Sequence, residues 1–343
     1  MKHQTTRYGE IPFYKIGTFG NTADAFISKK LFLEYKTKYS FPKKGDILIS
    51  ASGTIGRAVI YDGKSAYFQD SNIVWIDNDE TLVKNDFLFY AYSNVKWNTE
   101  HTTILRLYND NFRNTLIPLP PLNEQNAIAN ILSDLDRYLY ALDALILKKE
   151  GVKKALSFEL LSQRKRLKGF NQAWQRVRLG DIANYLTSNL SVEQITQQGK
   201  IKVYDVNNFI GYTDTTFISD KPYISIVKDG SVGRVRILPP KTNILSTMGA
   251  LIANHRTTTE FLFYLLSNFD FKNFISGSII PHIYFKDYKE KTIFLPPLNE
   301  QNAIANILSA LDNEIASLKN KKRQFENIKK ALNHDLMSAK IRV

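Results

Sequence analysis

The sequence has no cysteine and no long apolar run. Without cysteine, disulfide bonds and thiolate metal sites are excluded, and the composition fits a reducing compartment. A membrane-spanning helix needs about 18 consecutive apolar residues, which occur nowhere, and the polar start of the chain leads into no hydrophobic segment of the kind found in signal peptides. We therefore expect a soluble, cytoplasmic protein with no membrane partner.

Motifs of catalysis are also scarce. The five histidines never stand at metal-ligand spacing, and none belongs to a catalytic triad motif. Gly63-Lys64-Ser65 has the end of a phosphate-binding P-loop, but the glycine required five residues earlier is Ala58. A methyltransferase acting on amino groups needs Asn or Asp before a Pro-Pro pair, and each such pair here follows leucine. We expect no catalysis, metal or cofactor in this chain.

The chain does have the length, apolar content and positive charge of a folded protein with an anionic partner. Its 343 residues, 43% hydrophobic and 12% aromatic, suffice for two domains that each bury a core. Lys and Arg outnumber Asp and Glu by 46 to 33, which gives a formal net charge of +13. This excess favours a phosphate backbone as partner.

An internal repeat determines the architecture. The 15 residues LPPLNEQNAIANILS occur at 119–133 and again, letter for letter, at 295–309, an offset of 176 residues. The same offset pairs Asp136 with Asp312 and the run 153–156 with the run 329–332 without a gap. Both copies therefore continue for over 40 residues.

Each copy reads as one long helix. Pro121 and Pro297 end the preceding segment, and Asn123 and Asn299 are good N-caps. A heptad of apolar residues follows, which predicts an antiparallel or parallel pair of packed helices, each of roughly 45 residues and roughly 65 Å. The packing residues are Ile128, Leu132, Leu135, Leu139 and Leu142 in the first copy and Ile304, Leu308, Leu311, Ile315 and Leu318 in the second. Lys149, Lys153, Lys322 and Lys329 interrupt this seam, so we expect looser pairing there.

The segments before the helices are related much more loosely. Short β-rich stretches at 46–50, 72–76, 223–227 and 243–245 are separated by turn residues. Phe26-Ile27-Ser28 corresponds to Phe217-Ile218-Ser219, and the Phe-Leu-Phe-Tyr runs at 87–90 and 261–264 read as core helices. Equal helices with unequal domains indicate two equivalent partners and two different ligands, although gene conversion could also keep the helices identical.

The order of these parts resembles the specificity subunit of type I restriction-modification systems from end to end. The resemblance rests on the repeated Leu-Pro-Pro-Leu-Asn-Glu-Gln motif and on the start of the second domain, Trp174-Gln175-Arg176-Val177-Arg178-Leu179-Gly180-Asp181-Ile182. It implies an α+β protein with a pseudo-two-fold internal repeat. Two mixed α/β target-recognition domains, 1–121 and 170–297, would be separated by two conserved spacer helices, 122–169 and 298–343, packed as an antiparallel coiled coil.

The resemblance also implies the function and the partners. Each domain would read one half of a bipartite, asymmetric site in double-stranded DNA, and the helices would set its spacing and dock two methyltransferase subunits. These would recruit restriction subunits, the translocase and nuclease of the complex. The chain itself would be non-catalytic, and the partners would use S-adenosylmethionine, ATP and magnesium. The same module in a fused methyltransferase-nuclease system, and a helical scaffold or adaptor that binds proteins, are the alternatives.

Base readout needs side chains that reach base edges, for which Arg, Lys, Asn and Gln are best suited. The candidates are Arg57, Lys64, Arg106, Asn109, Asn111 and Arg113 in the first domain and Arg234, Arg236, Asn254, His255, Arg256, His282 and Lys286 in the second. Solvated surface charge and turn formation are the alternative roles of each. Gly53, Gly56, Gly230 and Gly233 read as turn formers.

The two domains differ at their start. The second has a lead-in, Trp174 to Gln198, before Gly199-Lys200-Ile201, whereas eight residues precede the matching Gly9-Glu10-Ile11 of the first. Members of the family carry such a lead-in on both domains. We therefore expect the first domain to lack a strand or to receive one from another segment.

Overall fold

A computed structural model describes residues 4–68, 72–97 and 106–343 of the chain. The chain forms two compact units: unit 1 consists of Met1–Asp143 and Asn320–Val343, and unit 2 of Ala144–Lys319. Each unit contains one domain of mixed helix and sheet together with one half of each of two 40-residue helices. The fold class expected from the sequence is confirmed. None of the helices in the described part of the chain is long and apolar enough to cross a membrane.

The domain of unit 1 contains two three-stranded sheets. Its elements are β1 (Ile11–Tyr14), β2 (Ala25–Ile27), α1 (Lys29–Lys38), β3 (Ile47–Ser50), β4 (Ala58–Ile60), β5 (Tyr67–Phe68), β6 (Ile73–Trp75), α2 (Asn85–Tyr92) and α3 (Asn109–Arg113). β1 pairs antiparallel with β2 and parallel with β5, and β3 pairs antiparallel with β4 and β6. All four residues of β3 are buried because both faces of its sheet are covered, one of them by α2. Burial of Phe87 and Tyr90 confirms that α2 is a core helix.

Helix α4 (Leu122–Leu161) leads into the domain of unit 2. The elements that follow are β7 (Gln175–Arg178), β8 (Ala183–Thr187), β9 (Ile201–Tyr204), β10 (Phe209–Thr213), β11 (Tyr223–Val227), β12 (Val235–Leu238), β13 (Asn243–Ile244), β14 (Met248–Ala253), α5 (Thr259–Ser267), α6 (Phe285–Tyr288), β15 (Thr292–Leu295) and α7 (Leu298–Met337). The sheets run in the orders β10-β9-β13, β12-β11-β14-β8 and β15-β7. The strands of the last two sheets enclose one large apolar core with α5, and the strands of the first sheet pack in two smaller clusters.

The two domains share a common set of elements. The pairings of β1, β2 and β5 recur in β9, β10 and β13, and those of β3, β4 and β6 recur in β11, β12 and β14. The correspondence expected between Phe26-Ile27-Ser28 and Phe217-Ile218-Ser219 is wrong, because β2 corresponds to β10 and Phe217 lies outside any strand. Helix α1 has no counterpart in unit 2. Strands β7 and β8, which the lead-in forms, have none among the described residues of unit 1.

The long helices begin two residues earlier than the predicted N-caps, Asn123 and Asn299, imply. Leu122 and Leu298 are the first helical residues, so the two asparagines lie inside the first turn. The carbonyl groups of Pro121 and Pro297 accept the first helical hydrogen bonds, each at 2.9 Å. Proline can take this position because its missing N–H is not needed at a helix start.

Within each unit the two helix segments run antiparallel. In unit 1, Lys322 pairs with Asp143 at 2.7 Å and Lys329 pairs with Asp136. In unit 2, Lys149 pairs with Glu314 at 2.7 Å and Lys153 pairs with Asp312. The four lysines that were expected to loosen the seam therefore each form an ion pair with the other helix. The ten predicted packing residues of the seam are buried or half-buried.

A glutamine in the first helical turn joins each domain to its helix. Gln125 donates to the carbonyls of Leu82 and Pro120 and accepts from the backbone N–H of Lys84 at 2.8 Å. Gln301 donates to the carbonyls of Arg256 and Pro296 and accepts from Thr258 N–H at 3.2 Å. Both side chains are fully buried. The identical motif thus makes the same contact twice.

A second repeated contact, the Tyr-Asp-Lys cluster, lies two to three turns farther along. The Tyr90 hydroxyl donates to Asp136 at 2.8 Å, and the Tyr264 hydroxyl donates to Asp312 at 2.9 Å. The lysine that pairs with each aspartate lies over the tyrosine ring, 5.5 Å from its centroid in unit 1 and 5.8 Å in unit 2. Each cluster therefore joins one domain to both helices.

We expect Gln125→Ala and Gln301→Ala each to destabilise the unit that contains the residue by about 2 kcal/mol, because buried backbone groups lose their partner. Urea unfolding of the full chain, followed by a probe in each unit, measures this. Asn126→Ala and Asn302→Ala remove exposed amides from the same turn and should change stability by less than about 0.5 kcal/mol. If the asparagine variants lost as much stability as the glutamine variants, the buried glutamines would not be what joins each domain to its helix.

Alkaline pH should destabilise both units through the Tyr-Asp-Lys clusters. Burial, and then the hydrogen bond to Asp136 or Asp312, raises the pKa of Tyr90 and of Tyr264. The unfolded tyrosines ionise near pH 10 while the folded ones stay protonated, so their stabilisation is full below about pH 10 and is lost above it. The double variant Tyr90→Phe, Tyr264→Phe should lose less stability between pH 8 and pH 11 than the parent. Tyr140→Phe, at an exposed position, should behave as the parent does.

Candidate nucleic-acid interface

A glycine loop follows the central strand of each domain. Gly53 and Gly56 have φ of +69° and +80°, and Gly230 and Gly233 both have +82°. A Cβ on Gly56 would lie 2.2 Å from Trp97, and one on Gly233 would lie 2.7 Å from Phe271. Positive φ favours glycine at all four positions, and close aromatic packing also requires it at Gly56 and Gly233, so these residues form tight turns.

The segment before α3 or α6 joins this loop in each domain. Arg106 bridges to Ser52, and His282 bridges to Asp229, in each case at the start of the glycine loop. The neighbouring backbone bonds, Leu107 N–H to Ala51 and Ile283 N–H to Lys228, are both 2.9 Å long. Arg106 and His282 therefore occupy equivalent positions with different chemistry.

The arginine after each glycine loop is anchored to a second loop. Arg57 donates to the carbonyl of Phe19 at 2.9 Å, and Arg234 donates to the Asn207 side chain at 2.9 Å. Phe19 and Asn207 both lie in the connection between the first two strands of their three-stranded sheet. Arg236 donates to the Asn207 carbonyl at 2.9 Å and stacks on Tyr204. A guanidinium has five N–H donors, so each of these arginines keeps donors for another acceptor.

His282 has a defined orientation. Its Nδ1 lies 2.6 Å from Asp229 Oδ1, and both side chains are about one-third exposed. The carboxylate thereby fixes the ring and leaves Nε2 as its other polar atom. The structure thus brings Arg57 and Arg106 to one loop of unit 1 and Arg234 and His282 to the matching loop of unit 2.

Several predicted residues instead have contacts within the fold. Asn254 donates to the Asp181 carbonyl and accepts from Arg256 N–H, both at 2.9 Å, and Arg256 donates to Gln175. Asn111 accepts from the Tyr108 N–H at 2.7 Å, which caps α3. The remaining predicted residues are exposed: Lys64, beside Asp62; Asn109; Arg113, beside Asp110; His255; and Lys286, beside Tyr284. As DNA contacts, all thirteen remain predictions.

A basic cleft in unit 2 was largely missed from the sequence. It has a volume of about 310 Å³ and is lined by Lys228, Lys286, Lys289, Tyr284 and Phe285 among others. Burial raises the pKa of Tyr185, which lies in the wall, so its hydroxyl stays protonated. Lysines beside aromatic rings suit phosphate and base contacts. The available signal was the spacing of Lys286 and Lys289, three residues apart on one helical turn.

Comparison with known proteins places both domains in one family. The family model described as the type I restriction modification DNA specificity domain matches residues 1–149 and 171–327. A putative type I restriction enzyme specificity subunit of Haemophilus influenzae is 63% identical over 137 residues, which is 40% of this chain and 36% of that protein. The chain therefore spans about one-third of that relative in the match.

Two further matches extend over most of the chain. A putative type I restriction enzyme MjaX specificity subunit of Methanocaldococcus jannaschii is 28% identical over 87% of this chain and 79% of its own length. The crystal structure of a type I restriction-modification system S subunit from M. genitalium superposes with a TM-score of 0.65 at 20% identity, over 98% of this chain and 91% of that chain, and shows the shared fold. Because the family model covers most of both domains, this chain belongs to the DNA specificity subunits of type I restriction-modification systems.

Proposed function

We propose that each domain reads one half of a bipartite, asymmetric site in double-stranded DNA, and that the paired helices set the gap and dock two methyltransferase subunits. The observation that carries this proposal is the contrast between the two sides of each unit. The buried glutamine and the Tyr-Asp-Lys cluster join helix and domain in the same way in both units. The loops that carry Arg106 in one unit and His282 in the other differ.

The unequal loops suit two different DNA sequences. Arg106 presents a guanidinium, which pairs best with guanine, whereas His282 presents the Nε2 of a ring that Asp229 holds through Nδ1. Arg57 and Arg234, which flank the glycine loops, keep free donors for phosphate or base edges. Two readers with different side chains at one equivalent position would give an asymmetric site.

The equal helices suit two copies of one partner. Exposed apolar side chains recur at matching positions of the two helices, Leu122 with Leu298 and Val152 with Ile328. Each exposes between 39% and 49% of its surface. A partner that recognises these residues on one helix would find the same chemistry at the matching positions of the other helix.

Catalysis would come from the partners. Methyltransferase subunits would use S-adenosylmethionine, and restriction subunits would use ATP and magnesium. The specificity subunit would contribute the choice of site, in the cytoplasm where the DNA is.

The direct test is to co-express the chain with the methyltransferase subunit of its system and to map methylated bases across the host genome. We expect a bipartite motif with a fixed gap. Replacing residues 170–297 by the second domain of another family member should change one half of the motif and leave the other half and the gap unchanged. A change in both halves, or a continuous motif, would rule out the proposal.

Point variants should act on one half of the site each. Arg106→Ala should relax the half read by unit 1, and His282→Ala the half read by unit 2, since loss of one good base contact costs about 1–3 kcal/mol of discrimination. The measurement is the same methylation map, with DNA affinity by fluorescence anisotropy. Arg323→Ala removes an exposed cation from α7 and should alter neither half.

A negative charge at one of these matched apolar positions should prevent one methyltransferase subunit from binding. Val152→Asp lies in unit 2 and Ile328→Asp in unit 1, and each should reduce the stoichiometry from two methyltransferase subunits to one because a buried, unpaired carboxylate is costly. Native mass spectrometry of the co-purified complex reads this directly. Val192→Asp changes an exposed residue away from the helices and should retain two. Retention of two subunits by both helix variants would place docking elsewhere.

A further inference from the structure

The backbone of His282 is fixed by a short bridge within unit 2. Its N–H donates to the Ser276 carbonyl at 2.7 Å, and its carbonyl accepts from the Ser276 N–H at 2.9 Å. These two bonds close the loop 277–281, in which Ile279 is 92% exposed. Both backbone polar groups of His282 are therefore occupied, and only its ring can bind a ligand through hydrogen bonds.

The contact between His282 and Asp229 determines which ring nitrogen carries the proton. Nδ1 of the ring lies 2.6 Å from Asp229 Oδ1. An ionised carboxylate can only accept a hydrogen bond, so Nδ1 must donate it, and a neutral imidazole then has no proton on Nε2. Nε2 has no hydrogen-bond partner among the described residues, and the His282 side chain is 34% exposed. The ring therefore presents a hydrogen-bond acceptor.

The surroundings of this pair suit nucleic acid. Lys228, next to Asp229, and Ile283, next to His282, both line the basic cleft of unit 2. Ammonium groups attract the phosphate backbone, whereas an unprotonated ring nitrogen needs a donor. The cleft therefore suits a phosphate group, and Nε2 beside it suits an amino group on a base.

We infer that Nε2 of His282 accepts a hydrogen bond from the exocyclic amino group of an adenine or a cytosine in the half-site read by unit 2. This inference rests on the proposed function and adds the chemistry of one base contact. In the major groove the amino groups at adenine N6 and cytosine N4 are the donors, whereas guanine and thymine present acceptors. Asp229 is a positioning residue, because it fixes the tautomer of the ring.

The equivalent position of unit 1 has the opposite hydrogen-bonding character. Arg106 bridges to Ser52 as His282 bridges to Asp229. A guanidinium can only donate, so it selects acceptors such as O6 and N7 of guanine. The two units thus select opposite base chemistry from equivalent positions, which makes the recognised site asymmetric.

The test uses the complex of the chain with its methyltransferase subunit and unmethylated duplexes that carry the mapped bipartite site. In each duplex one adenine of the unit 2 half-site is replaced by purine, or one cytosine by 2-pyrimidinone, so that one amino group is absent. Binding is measured by fluorescence anisotropy for the parent and for His282→Ala. We expect one replacement to weaken binding about fivefold more in the parent than in the variant. The lost base-pairing bond affects both complexes alike and cancels in this comparison.

Asp229→Asn separates reading from a merely structural role. The amide can turn either its oxygen or its N–H groups toward Nδ1, so both tautomers of His282 become accessible. We expect guanine or thymine at the contacted position to be bound within about threefold of the original base, and the methylation map to become degenerate at that position alone. A merely structural role would weaken binding to every duplex equally. His334→Ala, at an exposed histidine of α7, should discriminate as the parent does.

Three results would overturn the inference. Amino-group replacement that affects the parent and His282→Ala equally would show that the ring does not accept from a base. An effect confined to hypoxanthine in place of guanine would assign the contact to the minor groove, and one confined to 7-deazaguanine would make Nε2 a donor. In each case the parent would still prefer the bipartite site to a duplex with scrambled half-sites, so the proposed function would stand. Loss of that preference in the parent would contradict both.

Discussion

The buried amide in the first turn of each long helix is the contact on which the rest of the structure depends. An amide side chain without partners costs about 1–3 kcal/mol in an apolar interior, and Gln125 and Gln301 are fully buried. Each finds its partners only when one stretch of domain backbone lies against the helix start. Other registers of domain on helix would leave donors and acceptors unsatisfied. Because this contact uses backbone groups of the domain, the domain sequence can change without losing it.

The direction of the helix pair follows from charge. Each helix carries acidic partners in its first half, such as Asp136 or Asp312, and lysine partners in its second half, such as Lys153 or Lys329. An antiparallel arrangement brings unlike charges together in both units, whereas a parallel one would oppose acid to acid and lysine to lysine. Half-exposed pairs contribute little stability each, but like charges in contact would be unfavourable, so their main effect is on orientation. The heptad pattern correctly placed these lysines in the seam between the helices. The looser pairing expected there was wrong, because each lysine forms an ion pair with the other helix.

Local pattern allowed both long helices, two core helices and four strands to be predicted. The apolar heptad gave both long helices, and the β-rich stretches gave β3, β6, β11 and β13 within one or two residues. Local pattern did not show the contacts that each polar side chain makes within the fold. Asn111 and Asn254 have the chemistry of base readers, but that chemistry also caps helices and joins loops, as these two residues do here. The same holds for Gln125, whose role emerges only when Leu82 is brought beside it.

The two copies of the repeated motif differ in burial at their first residue: Leu119 is 48% exposed and Leu295 is 4% exposed. The residues that follow Leu119 are identical to those that follow Leu295, but Pro118 precedes it where Phe294 precedes Leu295, and only Leu295 lies on a paired strand. In unit 2 the strand β7 pairs with β15 and covers Leu295. Burial of this leucine therefore depends on a segment that lies about 120 residues away in the chain, which the repeat itself does not contain.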